Sequence, residues 1–369
     1  MRFLMIVKNE KGRNMLNFTV GPVMSDPEIL EITGESAPYF RTPEFSDIML
    51  ENEKLILEMV HAPEGSKAVF LTTSGTGAME SCVMNILNDQ DKVIVINGGS
   101  FGARFAELCK LHKLDHTGVK CEFGKQLRRE QLSGLEDYTA LLINMHETSS
   151  GVLYDMKMVA EFCRENNILL IVDAISAFLA DELDMEALGA SAVITGSQKA
   201  LAAFPGISLI ALSPEALERI EKNPEQCMYL SLKLALLDGK RGQTPFTPAV
   251  STLLQINKRL KKIMARGGAK AESARIAKVA EDFRNGIKEL PFEPVSDSPS
   301  NAVTSLRPLK ASAKDIFRIL KDEYDIWICP NGGQYAETVF RVGHIGYITD
   351  EDNKKLIDAL KDLERRGLI

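Results

Sequence analysis

Apolar residues in this 369-residue chain fall first into short unbroken runs and later into helical stripes. Six runs stand out before residue 213: AVFLTT (68–73), KVIVIN (92–97), YTALLINM (138–145), ILLIVDAI (168–175), AVIT (192–195) and ISLIAL (207–212). A strand with one wet face alternates apolar and polar positions, whereas a strand covered on both faces stays apolar throughout. These runs are of the second kind. Between them apolar positions recur at helical spacing, as in MKMVAEFCRENN (156–167) and in PEALERIEKN (214–223), where Ser213 and Pro214 form a helix start. The alternation predicts an α/β fold: a mostly parallel sheet with helices on both faces. In such sheets ligands sit beyond the carboxyl ends of the strands.

The texture changes near residue 250. Two long helical stretches follow, then the Pro-, Ser- and Asp-rich loop LPFEPVSDSPSN, then a short tail of strand and helix patterns: AVTSL, a helix over 311–324, DIWIC, TVFRVG and a last helix from Thr349. The expected division is an N-terminal arm over 1–17, a large domain over 18–250 and a small α+β domain over 251–369. The arm's apolar run is too short for a signal sequence, and Met15 is an alternative start. No stretch approaches about 20 uncharged apolar residues, so no membrane span is expected.

Composition narrows the partners. The formal charge is −7, with 45% hydrophobic and 26% charged residues. Nucleic acid and acidic membranes call for a basic surface, which this balance disfavours. One basic run, Arg259, Lys261, Lys262, Arg266 and Lys270, lies on a helical stretch and reads as a solvated face. Six scattered cysteines with no C-x-x-C pair read as reduced thiols in a cytoplasmic enzyme.

Four stretches at strand ends carry candidate chemistry. In TTSGTGAMES, small residues lead from a strand into a helix, which suits either a phosphate or simply a tight turn. In IVDAISAF, Asp173 ends a strand; a buried carboxylate needs a cation or several donors, and a helix cap or core ion pair would serve as well. GSQKAL places Lys199, a lone cation, among small and apolar residues, where burial disfavours its charge. NGGSFGARF supplies Phe101 and Arg104. Together they suit pyridoxal 5′-phosphate: an amine for the aldehyde, a carboxylate for the ring nitrogen, an aromatic face for the ring and a helix start for the phosphate.

At these motifs the chain resembles the class V aminotransferases of the fold-type-I pyridoxal-phosphate enzymes. The resemblance runs from FTVGPV (18–23) to FRVGHIG (340–346) and includes HETSSGV, VDAISAF, GSQKAL and FTP. It implies a large domain with a mostly parallel, seven-stranded type of sheet and a small C-terminal α+β domain. It implies that Lys199 is the Schiff-base lysine and the base, that Asp173 pairs with the ring nitrogen, and that Phe101 stacks on the ring, where many relatives carry Trp or Tyr. Ser74, Gly75, Thr76 and Gln198 would hold the phosphate, and Thr148 the ring hydroxyl. Gln243 and Thr247 would reach the phosphate of the other subunit, making a homodimer obligatory. Arg341 would clamp the substrate carboxylate, with Gly21 and Pro22 shaping the wall. The implied activity is amine transfer to a small 2-oxo acid such as pyruvate. NFTVGPV, PYFRTPEF and NMHETSSGVLYDMKM look most like the 2-aminoethylphosphonate–pyruvate transaminase, with alanine or serine–glyoxylate enzymes as the alternative.

Several further residues have two readings each. Arg41 suits either an anionic donor group or an ion pair with Glu44 or a neighbour. His112 and His116 show no third metal ligand. His146 reads as fixing a loop, and His344 as a neighbour of Arg341. Cys329 reads as a buried strand end; a cysteine-desulfurase-like lyase is the rival in which it would be a nucleophile.

Overall fold

The computed structural model describes residues 15–369. The arm expected over 1–17 therefore lies, up to residue 14, outside the described residues. The central sheet has seven strands: β1 (Lys67–Leu71), β2 (Lys92–Asn97), β3 (Asp115–Lys120), β4 (Ala140–Asn144), β5 (Leu169–Asp173), β6 (Ala190–Gly196) and β7 (Ser208–Leu212). Their order is β1-β7-β6-β5-β4-β2-β3, with β7 antiparallel to both neighbours and every other pair parallel. The sheet is of the expected kind, but β3 had no counterpart among the apolar runs. It is an edge strand, DHTGVK, largely open to solvent, so its residues need not be apolar.

Both faces of the sheet are covered. Ile94 and Ile96 of β2 join one core and Val93 and Val95 the other, and β4 and β5 divide in the same alternating way. Each such side chain contributes about 1.5–3 kcal/mol by leaving water. The helices are α1 (Pro43–Met59), α2 (Gly75–Ile86), α3 (Ser100–Leu111), α4 (Met156–Glu165), α5 (Pro214–Lys222), α6 (Leu232–Gly239), α7 (Val250–Ala265), α8 (Gly268–Gly286), α9 (Ala313–Tyr324) and α10 (Asp350–Arg365). α1, α4 and α7 pack on one face; α2, α3, α5 and α6 pack on the other. Leu253, Ile256, Leu260 and Ile263 of α7 belong to the large core, whereas Val279 and Phe283 of α8 enter a third core. That core lies under a four-stranded antiparallel sheet of β8 (Phe292–Pro294), β9 (Val303–Pro308), β10 (Cys329–Pro330) and β11 (Phe340–Gly343), in the order β8-β9-β11-β10.

The basic run on α7 departs from a solvated face at one position. Arg259 is buried, and its Nη2 donates to Glu272 Oε1 at 2.5 Å; Arg275 Nη2 donates to the same oxygen at 2.7 Å. Burying a guanidinium requires such a partner. His112 meets Glu80, and His116 Nδ1 meets the Leu114 carbonyl.

A strap precedes α1 and joins the two sheets. Leu16–Asn17 pairs in parallel with Ile326–Trp327. The Phe18 carbonyl accepts from Gly343 N–H at 2.7 Å, and Val23 N–H donates to the Gln198 carbonyl at 3.3 Å. One segment thus touches both the turn that carries Lys199 and the strand that carries Arg341.

Candidate active site

Five loops at the carboxyl ends of the parallel strands build the site. After β1, Ser74 is the N-cap of α2, yet its exposed side chain makes no capping hydrogen bond. Gly75 packs closely on the β5 loop: a Cβ there would lie 2.2 Å from Ile175 Cδ1, so a larger residue would require that side chain to move. Thr76 Oγ1 accepts from Arg104 Nη1 at 3.1 Å, and the Arg104 guanidinium lies 5.1 Å from the centre of the Phe101 ring. Arg104 therefore braces the β1 and β2 loops against each other.

The β4 loop is anchored by Glu147, which sequence reasoning passed over. This fully buried carboxylate accepts from Ser149 Oγ at 2.5 Å, Asn144 Nδ2 at 3.0 Å and Gly102 N–H at 3.1 Å. It fixes the first turn of α3 and so the place of Phe101. The signal was a carboxylate inside an otherwise uncharged strand-end segment, which needs several donors when buried. Thr148 shares a 2.7 Å hydrogen bond with Ser176, and Ser176 shares a 2.9 Å hydrogen bond with His146 Nδ1.

Asp173 is the last residue of β5 and is buried. Among the described residues it accepts one hydrogen bond, from Ile175 N–H at 2.8 Å. Burial raises its carboxyl to about 6; the Ile175 N–H, Lys199 and Arg104 oppose the rise and Glu147 adds to it. Lys199 follows β6 and is also buried, with Nζ donating to the Val20 carbonyl. Burial lowers its ammonium to about 8; Asp173 and Cys329 oppose this and Arg341 assists. The strap wraps the lysine closely. Gly21 has φ +122°, and a Cβ on it would lie 2.8 Å from Lys199 Cδ. Pro22 beside it is exposed, and Gln198 is half-buried with its carbonyl tied to Val23.

Arg341 reaches the same group of side chains from β11. Nη1 donates to the Thr148 carbonyl at 3.1 Å and Nη2 to Cys329 Sγ at 3.1 Å, while the buried Nε has no partner. Cys329 is thus not a buried strand end: it is half-exposed and touches the guanidinium. His344 is buried one layer back, bonded to Thr304 Oγ1 at 2.8 Å.

Arg41, Gln243 and Thr247 stand apart from this group. Arg41 donates to Gln243 Oε1 at 3.2 Å, the Thr244 carbonyl at 2.8 Å and the Pro245 carbonyl at 3.1 Å, and makes no ion pair with Glu44. The Gln243 carboxamide is consumed within the chain, since Nε2 donates to the Phe40 carbonyl at 3.0 Å and Ser46 Oγ at 2.7 Å. Thr247, on the same loop, is exposed.

The arrangement brings a lysine of lowered proton affinity and a carboxylate short of donors within electrostatic reach of each other at the strand ends, with an arginine Nε left open. The family described as Aminotransferase class-V matches residues 33–348. The chain belongs to the class-V aminotransferases. A Synechococcus protein named as the small subunit of a soluble hydrogenase is 28% identical over 92% of this chain and 90% of its own length. An L-aspartate–glyoxylate aminotransferase of Paracoccus denitrificans is 27% identical over 90% and 87%. A 2-aminoethylphosphonate–pyruvate transaminase of Phocaeicola vulgatus is 24% identical over 81% and 84%. Among solved structures, the subgroup IV aspartate aminotransferase of Thermus thermophilus superposes with a TM-score of 0.89 at 27% identity, covering 95% of this chain and 99% of that one.

This aminotransferase has the fold of the fold-type-I enzymes, and pyridoxal 5′-phosphate is its cofactor. The residues present fit it. Asp173 lacks the donor that a protonated ring nitrogen would supply, Ser74 leaves the first turn of α2 open to a phosphate, and Lys199 is a ready amine. The lowered Lys199 gives a direct test, because the neutral amine is the nucleophile. The rate at which cofactor-free protein captures pyridoxal 5′-phosphate should rise about tenfold per pH unit and level near pH 8. A lysine at its ordinary 10.5 would keep rising past pH 10. Stopped-flow absorbance across pH 6–10.5 separates the two profiles.

Proposed function

We propose that this aminotransferase moves an amino group from a small α-amino acid to a small 2-oxo acid, glyoxylate or pyruvate, in two half-reactions at one site. The observation that carries the reading is Arg341: a buried guanidinium with an open Nε, beside the lysine, suited to one carboxylate. Donor and acceptor would use it in turn, which makes the kinetics ping-pong.

Pyridoxal 5′-phosphate, when bound, supplies the electron sink. Asp173 would keep the ring nitrogen protonated, and Phe101 would cover the ring. Ser74, Gly75, Thr76 and Gln198 would hold the phosphate, and Thr148 would bond the ring oxygen. Lys199 Nζ takes the proton from the donor α-carbon and holds it for return. Gly21 and Pro22 wall the substrate side. Arg41 and Gln243 shape the loop that presents Thr247 to a second subunit. A homodimer is supported by the apolar surface around that loop, where exposed Tyr229 stacks on Phe246 at 5.4 Å and donates to the Thr72 carbonyl at 3.1 Å, close to the phosphate turn.

The Phocaeicola relative favours a second reading, 2-aminoethylphosphonate with pyruvate. With Arg41 spent on its own loop, the phosphonate would fall to Arg341. A screen of alanine, serine, aspartate and 2-aminoethylphosphonate against glyoxylate and pyruvate decides between them; no transfer from any of the carboxylate donors would sink the leading reading. R341Q is expected to lower kcat/KM about 100-fold for the preferred 2-oxo acid, mostly through KM. C329A should keep amine transfer, since the thiol only touches Arg341; loss of sulfide release from cysteine in that variant would instead support the desulfurase-like lyase.

A further inference from the structure

Thr148 ends a buried chain of three side chains, and the function above does not use the other two, Ser176 and His146. His146 Nδ1 meets Ser176 Oγ at 2.9 Å, and Ser176 Oγ meets Thr148 Oγ1 at 2.7 Å. All three residues are at least nine-tenths buried, and His146 Nε2 has no partner. We propose that His146 and Ser176 fix the direction of the Thr148 hydroxyl, so that Thr148 donates outward and holds the cofactor's ring oxygen as an anion. The proposal rests on the reading that Thr148 faces that oxygen.

The protons on this chain can be placed. The imidazole is neutral: burial foremost, then Lys199, Arg341 and Arg284, pushes it down to about 3. Those three cations face it from the β6 loop, β11 and α8. A neutral imidazole carries one N–H. Were it on Nε2, a buried donor would be orphaned among positive charges. Orphaned buried N–H groups are the rarer kind of unpaired group, and a lone pair at Nε2 is favoured by the same cations. The proton therefore sits on Nδ1 and is donated to Ser176 Oγ. Each hydroxyl has a single proton. Ser176, accepting from His146, donates its own to Thr148 Oγ1. Thr148, accepting from Ser176, has no other partner for its proton among the described residues and points it outward. With the opposite tautomer every arrow would reverse, and Thr148 would offer only a lone pair.

The direction has a measurable consequence. The ring oxygen and the nitrogen that joins the cofactor to Lys199 compete for one proton. A hydrogen bond donated to the oxygen weakens the nitrogen's hold on that proton. Asp173, Arg341 and Cys329, the charged and titratable groups that face Lys199, are unchanged by substitutions in the chain.

The experiment is a pH titration of the bound cofactor's absorbance in the holoenzyme and in S176A, H146L and H146N. S176A and H146L should move the midpoint up by about one pH unit, the scale of a single charge-assisted hydrogen bond. H146N, whose amide N–H takes the place of Nδ1–H, should titrate with the parent. A purely structural role would lower thermal stability or cofactor retention and leave the midpoint where it is. S176A titrating with the parent overturns the proposal. Should H146L fail to fold, S176A decides, because it removes one oxygen. If the parent shows no cofactor absorbance at all, the reading of the site itself has failed, which is a distinct result.

Discussion

With alanine in place of Lys199, amine transfer falls by at least about 10⁴-fold, the scale of a positioned acid–base group. Two roles vanish together. The cofactor loses its covalent anchor, and no amine remains to move the proton at the donor carbon. Neither His146 nor Arg341 can take over. His146 is held neutral and poorly basic by burial and by its cationic neighbours, and its Nδ1 is tied to Ser176. Arg341 has no basic form within reach. Dialysis with absorbance reads the first loss, since pyridoxal 5′-phosphate should leave K199A freely while the parent retains it. Turnover with the best donor–acceptor pair reads the second. Turnover within tenfold of the parent would end the assignment.

Asp173→Asn is expected to cost about a thousandfold in turnover with the cofactor still bound. A unit charge about 3 Å from the ring nitrogen is worth roughly 5 kcal/mol at an effective dielectric of about 20, and most of that attraction goes with the charge. The same substitution should act in the opposite sense on the cofactor-free protein. There the Asp173 carboxyl sits at about 6 against an ordinary 3.8, so the folded state binds more protons than the unfolded state between those values. Its contribution to stability is present below the ordinary value and is lost as pH rises through about 6. At pH 7 the cofactor-free parent therefore buries an uncompensated carboxylate that D173N does not. Cofactor-free D173N should melt higher than the cofactor-free parent above pH 6, and the difference should shrink toward pH 4. Thermal scans at three pH values check the sign.

The strands and the buried charged residues at their ends were legible because both follow from burial. β4 and β5 are buried along their whole length, so their sequences contain no polar residue before their last positions, Asn144 and Asp173. A lone lysine or aspartate at the end of such a run stands out for the same reason. β3 was not legible, because an exposed edge imposes no apolar pattern. Arg259 was misread because the partner that permits its burial, Glu272, lies on the next helix, and a charge run does not reveal which of its members will meet one. Arg41 was offered an ion pair or an anion and instead clamps backbone carbonyls of residues 244 and 245. Carbonyl acceptors carry no sequence signature, since every residue has one. The Cys329–Arg341 contact depends on β10 and β11 lying side by side, a pairing that strand patterns alone leave open.

The bond between the Phe18 carbonyl and Gly343 N–H brings together nearly the first and nearly the last described parts of the polypeptide. The seven strands of the large sheet are all encoded by Leu212, whereas Arg341 follows some 130 residues later. A product cut before β11 would keep Lys199 and the strap but lack both the guanidinium and the strap's Gly343 partner. The amine and the guanidinium therefore come together only once β11 has been made.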